Sequence, residues 1–391
     1  MTNENPSRLS AETRAKFVEI FGRQADIVAY APGRIEVLGN HTDYNEGLVL
    51  SAAIDCGICF AVSPRPDRTC RIASGNMGRE STFSLDIVEP SNVETWTNYC
   101  RGVLAGLAAI KRPGHGFDAL VFGDIPAGSG LSSSAALEVS TCIALAKLYG
   151  IELDRIAMAK IGQAAEHEFA GVKCGLLDQV SSLFGEAGKL VATDFRSLEV
   201  RTMPIGDDAC FLMCNTLAKH ALVDGEYNKR RAACEEAAAA FARILPHPVT
   251  ALRDVSWDEW KAHQSELDPL AARRSAHPIG EDDRVARGGA LLEAGDLEGF
   301  GRLMFESHDS SRDYFENSCK ELDIVVDAAR KTLGVLGARL SGGGFGGSAV
   351  VLVKPADADR AIAEIASAFR QAVGHDCEIR AIKPGPGASL C

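Results

Sequence analysis

The chain of 391 residues contains no run of about eighteen apolar residues, and its opening, MTNENPSRLS, lacks a basic segment followed by an apolar one. Neither a membrane span nor a secretory leader is therefore expected, and a cytoplasmic protein is the simplest reading. No extended Lys/Arg run occurs, and the formal net charge is −12, which argues against a nucleic-acid or anionic-membrane binder. A compact cysteine framework is missing too. The cysteines at 56, 59, 70, 100, 142, 174, 210, 214, 234, 319, 377 and 391 fall mostly inside apolar runs, so they read as reduced core residues. Cys56 and Cys59 have zinc-like spacing, but no second pair stands at the right distance and the run around them is strand-like. Internal repeats, low-complexity tracts and a Walker-type Gly-Lys-Ser/Thr are all absent.

At this length and 46% apolar content, two lobes are more natural than one core. A net-acidic chain that handles an anionic small molecule must hold it with a local device, because its overall field repels the ligand.

The periodicity predicts a first helix capped by Ser10 and stopped by Gly22, and strands at 27–30, 48–62 and 116–126. Helices are expected at 132–149 and from about 154 to 170, then near 226–244, 281–295 and 319–333. Further strands are expected at 209–214, 348–353 and 377–382, while 245–280 reads as a surface excursion with one short helix. Strands and helices do not alternate at a fixed period. That favours an α+β arrangement over a doubly wound sheet or barrel. The expected lobes are 1–205 and 206–391.

Three segments carry chemistry. In the turn Pro126-Ala127-Gly128-Ser129-Gly130-Leu131-Ser132-Ser133-Ser134-Ala135-Ala136, a strand gives way to a helix. Gly128 and Gly130 permit close backbone approach, and the unsatisfied N–H groups of the helix start attract anions. The serine hydroxyls add donors for phosphate and a ligand for Mg²⁺. A plain serine cap after a flexible turn explains the same residues. The second segment, 340–348, has five glycines in six positions before an apolar strand, which fits a site wall approached by backbone or ligand. The third, 31–47, holds Arg34, His41 and Asp43, able to bond hydroxyls or phosphate; downstream, Asp178 follows a helix bearing Glu166, His167 and Glu168. Phosphoryl transfer to an alcohol needs an in-line hydroxyl, charge neutralisation and a carboxylate to accept the proton, and these residues meet that requirement.

Together APGRIEVLGNHTDYNEG, GDIPAGSGLSSSAALE, AEHEFAGVKCGLLDQ and GARLSGGGFGGSAVVLV, in that order, resemble the galactokinase branch of the GHMP small-molecule kinases over nearly the whole chain. The resemblance implies a two-lobed α+β fold with the site in the inter-lobe cleft. It implies Asp178 as catalytic base with Arg34 as partner, and Asn40, His41, Asp43, Gly175 and Tyr227 around the sugar. It further implies Mg²⁺ on Ser134 and Glu166, the phosphates of ATP wrapped by residues 126 to 136, and Trp96 near the adenine. The partners implied are ATP and a small sugar, with no nucleic acid or membrane, for a monomer or weak oligomer. Two departures stand out: Asn40 where the family signature has glutamate, and Glu36 where it often has asparagine. A neutral amide at 40 removes a charge that would repel a carboxylate at C6 of the sugar, which keeps galacturonate open beside galactose. N-acetylgalactosamine, arabinose and a non-catalytic sensor are the other readings.

Overall fold

The first helix, α1 (Asn5–Phe21), buries Leu9, Thr13 and Phe17, one residue per turn, and ends where Gly22 takes φ +68° and returns its N–H to Val18. Ser10 lies inside α1 and is buried, so the helix starts earlier than a cap at Ser10 would allow. The chain, seen in a computed structural model, is described for residues 5–126, 128–219 and 223–391; Ala127 lies outside the described residues.

After α1 come β1 (Ile27–Leu38), β2 (Leu48–Pro64), β3 (Thr69–Ser74), β4 (Arg79–Ser84), α2 (Asn98–Ile110) and β5 (Phe117–Gly123). Next stand α3 (Ser133–Tyr149), α4 (Arg155–Ala165), α5 (Leu177–Phe184), β6 (Lys189–Asp194) and β7 (Glu199–Pro204). The rest comprises β8 (Cys210–Lys219), α6 (Val223–Ile244), α7 (Trp257–His263), α8 (Pro269–Glu293), α9 (Leu297–Ser310), α10 (Lys320–Lys331), β9 (Val335–Ser341), β10 (Gly346–Val353), α11 (Ala358–Val373), β11 (Glu378–Ile382) and β12 (Ser389–Leu390).

Among the described residues the strands form two sheets, so the α+β expectation holds. In the larger, the path β12-β1-β2-β5-β3-β4 is antiparallel except for β3 beside β5, and β6 with β7 branches from the first half of β2. The smaller is antiparallel in the order β11-β8-β10-β9. Its strands are buried on both faces: Phe211, Met213, Val350 and Leu352 meet Ile35, Val37 and Leu50 of the large sheet, while Leu212, Cys214, Val351 and Val353 meet α10 and α11. Two-sided burial explains why AVVLV reads as an unbroken apolar run. Each fully buried side chain of this size is worth about 1.5–3 kcal/mol. The helices α2 to α5 cover one face of the large sheet around Phe60, Phe117, Val139 and Leu145.

Residues 245–280 are not a surface excursion. They contain α7 and the first half of α8, whose Ser275, Ala276, His277 and Ile279 are buried. Pro278 sits within α8, and a proline that ordinarily ends a helix hid this one from the sequence pattern. The cysteine reading stands: all twelve are free and most are buried, including Cys56 and Cys59 on β2. No helix among the described residues is long and apolar enough to cross a membrane.

Candidate active site

Strand β1 carries the first part of the 31–47 segment, and its pairing with β2 slips between Pro32 and Arg34 and again between Glu36 and Leu38. Such bulges re-aim side chains. Between the slips, Arg34 and Glu36 share one strand face while Ile35 and Val37 go to the core. Both line a cavity of about 240 Å³, together with Asn40, His41, Asp43, Ser134, Glu166, Gly175, Asp178 and Tyr227.

The turn after β5 packs directly on β1. A Cβ on Gly33 would come within 2.6 Å of the Leu131 carbonyl, which accepts the Arg34 N–H at 3.1 Å. Gly128, Gly130 and Ser132 have φ near +60 to +70°, left-handed backbone that glycine adopts freely and serine does not. Ser132 stands at the N-cap of α3 but does not cap it. Its hydroxyl donates to Asp178 Oδ2 instead, so the plain-cap explanation fails. Ser129 donates to the Pro126 carbonyl, and Leu131 and Ala135 are buried. Ser133 begins α3. The two glycine segments meet here: Ser348 donates to the Ser129 carbonyl at 2.6 Å, and Gly342 and Gly347 lie close to Gly130.

Asp178 occupies the first turn of α5, where the helix dipole favours a carboxylate. Arg34 donates to its Oδ1 from Nε at 2.8 Å and approaches it with Nη2 at 2.7 Å, while Nη1 donates to the Gly130 carbonyl at 2.7 Å. One guanidinium thus ties the carboxylate to the glycine turn. Glu166 opens a π-helical turn, Glu166–Ala170, that continues α4; such turns are frequent at functional sites. Burial raises its pKa, and Ser134 and Cys174 hydrogen-bond to its carboxyl. Behind it, buried Glu138 accepts from Gln179 at 2.8 Å, while its other oxygen has no hydrogen-bond partner among the described residues.

The opposite part of the cavity is built by the 39–47 loop. Asp43 accepts the backbone N–H groups of Leu177 and Tyr44, and a Cβ on Gly175 would overlap its carboxylate, so glycine is required there. His41 takes φ +60°; Nδ1 lies 2.7 Å from the Tyr44 hydroxyl and Nε2 lies 3.3 Å from the Gly343 carbonyl. Because a carbonyl only accepts, Nε2 carries the hydrogen and Nδ1 accepts from Tyr44. Burial pushes the imidazole down to about 3, so it is neutral, and its ring packs against Tyr227 and Phe315. Glu281 of α8 grips the loop by accepting the N–H groups of Gly39 and Asn40 at 2.7 and 2.9 Å.

Burial, with the neighbouring Asp178, pushes Asp43 up to about 6 from 3.8 against the pull of its N–H donors. Between about pH 4 and about pH 6 the folded chain then binds more protons than the unfolded one, so this group's contribution to stability falls as pH rises through about 6. Asp43→Asn is expected to remove this fall, so that its thermal midpoint loses less than the native midpoint does between about pH 4 and about pH 6. Parallel midpoint curves for the two proteins would contradict the assignment.

Trp96 is not on the cavity wall: its indole donates to Glu94 and packs on the helical core, while Tyr99, one turn later, lines the cavity. Tyr99, Val172, Leu177, Gly342 and Gly343 on the wall escaped sequence reasoning as individual residues, although the 340–348 segment was marked as a wall. Glu281, Asn317 and Arg339, which hold the wall from behind, carry no local signal at all.

Comparison with known proteins matches residues 15–64 to the galactokinase galactose-binding signature, 98–186 to the GHMP kinases N terminal domain and 290–371 to the GHMP kinases C terminal. A galactokinase of Roseiflexus sp. (strain RS-1) is 38% identical over 97% of this chain and 96% of its own. The crystal structure of Lactococcus lactis galactokinase complexed with galactose superposes with a TM-score of 0.93 at 33% identity, covering 98% of this chain and 99% of that one. The mevalonate kinase of Methanococcus jannaschii shares the fold alone, with a TM-score of 0.63 at 18% identity over 92% and 98% of the two chains.

Proposed function

Because the chain belongs to the galactokinase branch of the GHMP kinases, we propose that it transfers the γ-phosphoryl group of ATP to the C1 hydroxyl of α-D-galactose, giving galactose 1-phosphate and ADP. The observation that carries this reading is Asp178, clamped between Arg34, Ser132 and the start of α5 on the wall of a cavity bordered by both glycine segments.

In this reading the sugar's C1 hydroxyl lies against Asp178, which accepts its proton as the oxygen attacks the γ-phosphorus and the bond to the β–γ bridging oxygen breaks, leaving ADP. Arg34 orients the carboxylate and neutralises charge on the transferred group. Residues 126 to 136 cradle the phosphates with backbone N–H groups at the start of α3. Asn40, His41, Asp43, Gly175 and Tyr227 enclose the sugar, with His41 offering its neutral ring. Trp96 lies towards the adenine.

Mg²⁺ usually takes one or two carboxylates plus phosphate oxygens, and Glu166 with the adjoining Ser134 hydroxyl fits that donor set. When bound it neutralises charge on the phosphate oxygens. The lobes divide near residue 205, with the final strand β12 returning to β1 in the first lobe. A cytoplasmic monomer or weak oligomer accords with the acidic charge and free cysteines.

A coupled ADP-release assay over sugars with an axial C4 hydroxyl tests the reading. Galactose is expected to show the highest kcat/KM; no ADP release with any sugar would overturn it and leave a binding protein.

A further inference from the structure

The amide that distinguishes this chain from its family signature is already spent. Asn40 Nδ2 donates to the Gly342 carbonyl at 2.8 Å, and its Oδ1 accepts from Asn317 Nδ2 at 3.0 Å. With its backbone N–H bound to Glu281, Asn40 is a strut between the 39–47 loop and the second glycine segment. A residue committed on both ends of its side chain has little left with which to discriminate a sugar.

The neighbouring Glu36 brings a carboxylate to the cavity. It lines the same cavity, it is 2% exposed, and its N–H is anchored to Ser341 at 2.9 Å. Arg339 Nη2 stands 3.0 Å from Oε1, an oxygen shielded from the cavity, and the Asn40 side chain hydrogen-bonds to the same carboxyl. The Arg339 guanidinium is shared, since Nε donates to the Leu340 carbonyl and Nη1 reaches Glu281 at 3.4 Å. A carboxylate among the residues that line a cavity brings negative charge to its wall, and a carboxylate oxygen turned to the cavity can accept from a ligand hydroxyl.

We propose that Glu36, and not Asn40, is the residue that selects the sugar, accepting a hydrogen bond from a hydroxyl of a neutral hexose and rejecting hexuronates by charge repulsion. The proposal rests on the sugar-kinase reading of the cavity and deepens it. The carboxylate and the amide at positions 36 and 40 are exchanged relative to the family signature, so the negative charge has moved within the pocket and has not been lost. Galacturonate, which Asn40 alone left open, is therefore turned away. Burial pushes the Glu36 carboxyl up to about 7, with Arg339 and Arg34 pulling it back, so the assay belongs near pH 8.5, where it is ionised.

The test measures kcat/KM for galactose and galacturonate with the full-length native protein and with Glu36→Gln, whose folding is checked by its thermal midpoint. The native protein is expected to prefer galactose by at least about 100-fold, and Glu36→Gln to lose about tenfold on galactose, chiefly through KM, while the galacturonate/galactose ratio rises about 10- to 100-fold. Exchange of both residues, Glu36→Asn with Asn40→Glu, is expected to restore rejection of galacturonate. Two results would overturn the proposal: native use of galacturonate within about threefold of galactose, which needs no variant, or an unchanged ratio in folded Glu36→Gln. If the native protein phosphorylates galactose and the ratio does not move, the selector assignment alone fails; if it phosphorylates no sugar, the kinase reading fails with it.

Discussion

Asp178→Asn is expected to lower kcat by about 10²–10⁴ while nucleotide affinity stays within about threefold, because a positioned general base contributes that range and the phosphate turn is untouched. The substitution keeps the shape of the side chain. An amide oxygen can still accept from Ser132 or Arg34, but it cannot take the proton that leaves the sugar hydroxyl. Steady-state kinetics in both substrates, with nucleotide binding followed by calorimetry, separates the outcomes. A merely structural Asp178 would raise both KM values and lower the thermal midpoint with little change in kcat. A folded variant that keeps kcat within tenfold of native would remove Asp178 from the role of base.

Arg34→Ala is expected to be comparably severe, with kcat falling about 10³-fold, at the lower end of what an arginine placed on a transferring phosphoryl group supplies. Three contacts disappear at once: two to Asp178 and one to the Gly130 carbonyl. Among the described cavity-lining residues Arg34 is the one lysine or arginine, so no described neighbour on the wall replaces its charge. Stability suffers as well. Arg34 is 5% exposed and pairs with a partner whose side chain is 26% exposed, so the loss should fall below the 3–5 kcal/mol typical of breaking a fully buried pair. Arg34→Lys keeps the charge but cannot span Asp178 and Gly130 with one planar fork, and its kcat should lie between alanine and native. A lysine variant as slow as alanine would mean that the fork matters and the charge does not. An alanine variant with near-native kcat at a temperature where it is folded would exclude Arg34 from the transfer step.

What could be read from the chain alone was everything settled by near neighbours. The anion-binding reading of 126–136 rests on glycines, serines and a helix start within a few residues, and α3 does begin there, at Ser133. The 340–348 glycines announced a close approach, which Asn317, Tyr227 and the first glycine turn provide. Helices with clean periodicity, such as α3, α6 and α10, appeared within a few residues of their expected ends.

Other features depended on contacts between residues far apart in the chain. The Ser132 hydroxyl looked like a cap, and only the arrival of α5 made Asp178 the better acceptor. The long helix α8 was masked by Pro278, although its Glu281 organises the 39–47 loop from more than two hundred residues away. Asn40 shows the difference best. By sequence it was a missing charge and an opening for an acidic sugar, because a residue's type says what it can bond and not what already bonds it. Folding brought Gly342 and Asn317 onto its amide and put Glu36 with Arg339 beside the same cavity. The chemistry on offer was legible in the residues; which groups remain free to meet the substrate was decided by the partners that tertiary packing supplied.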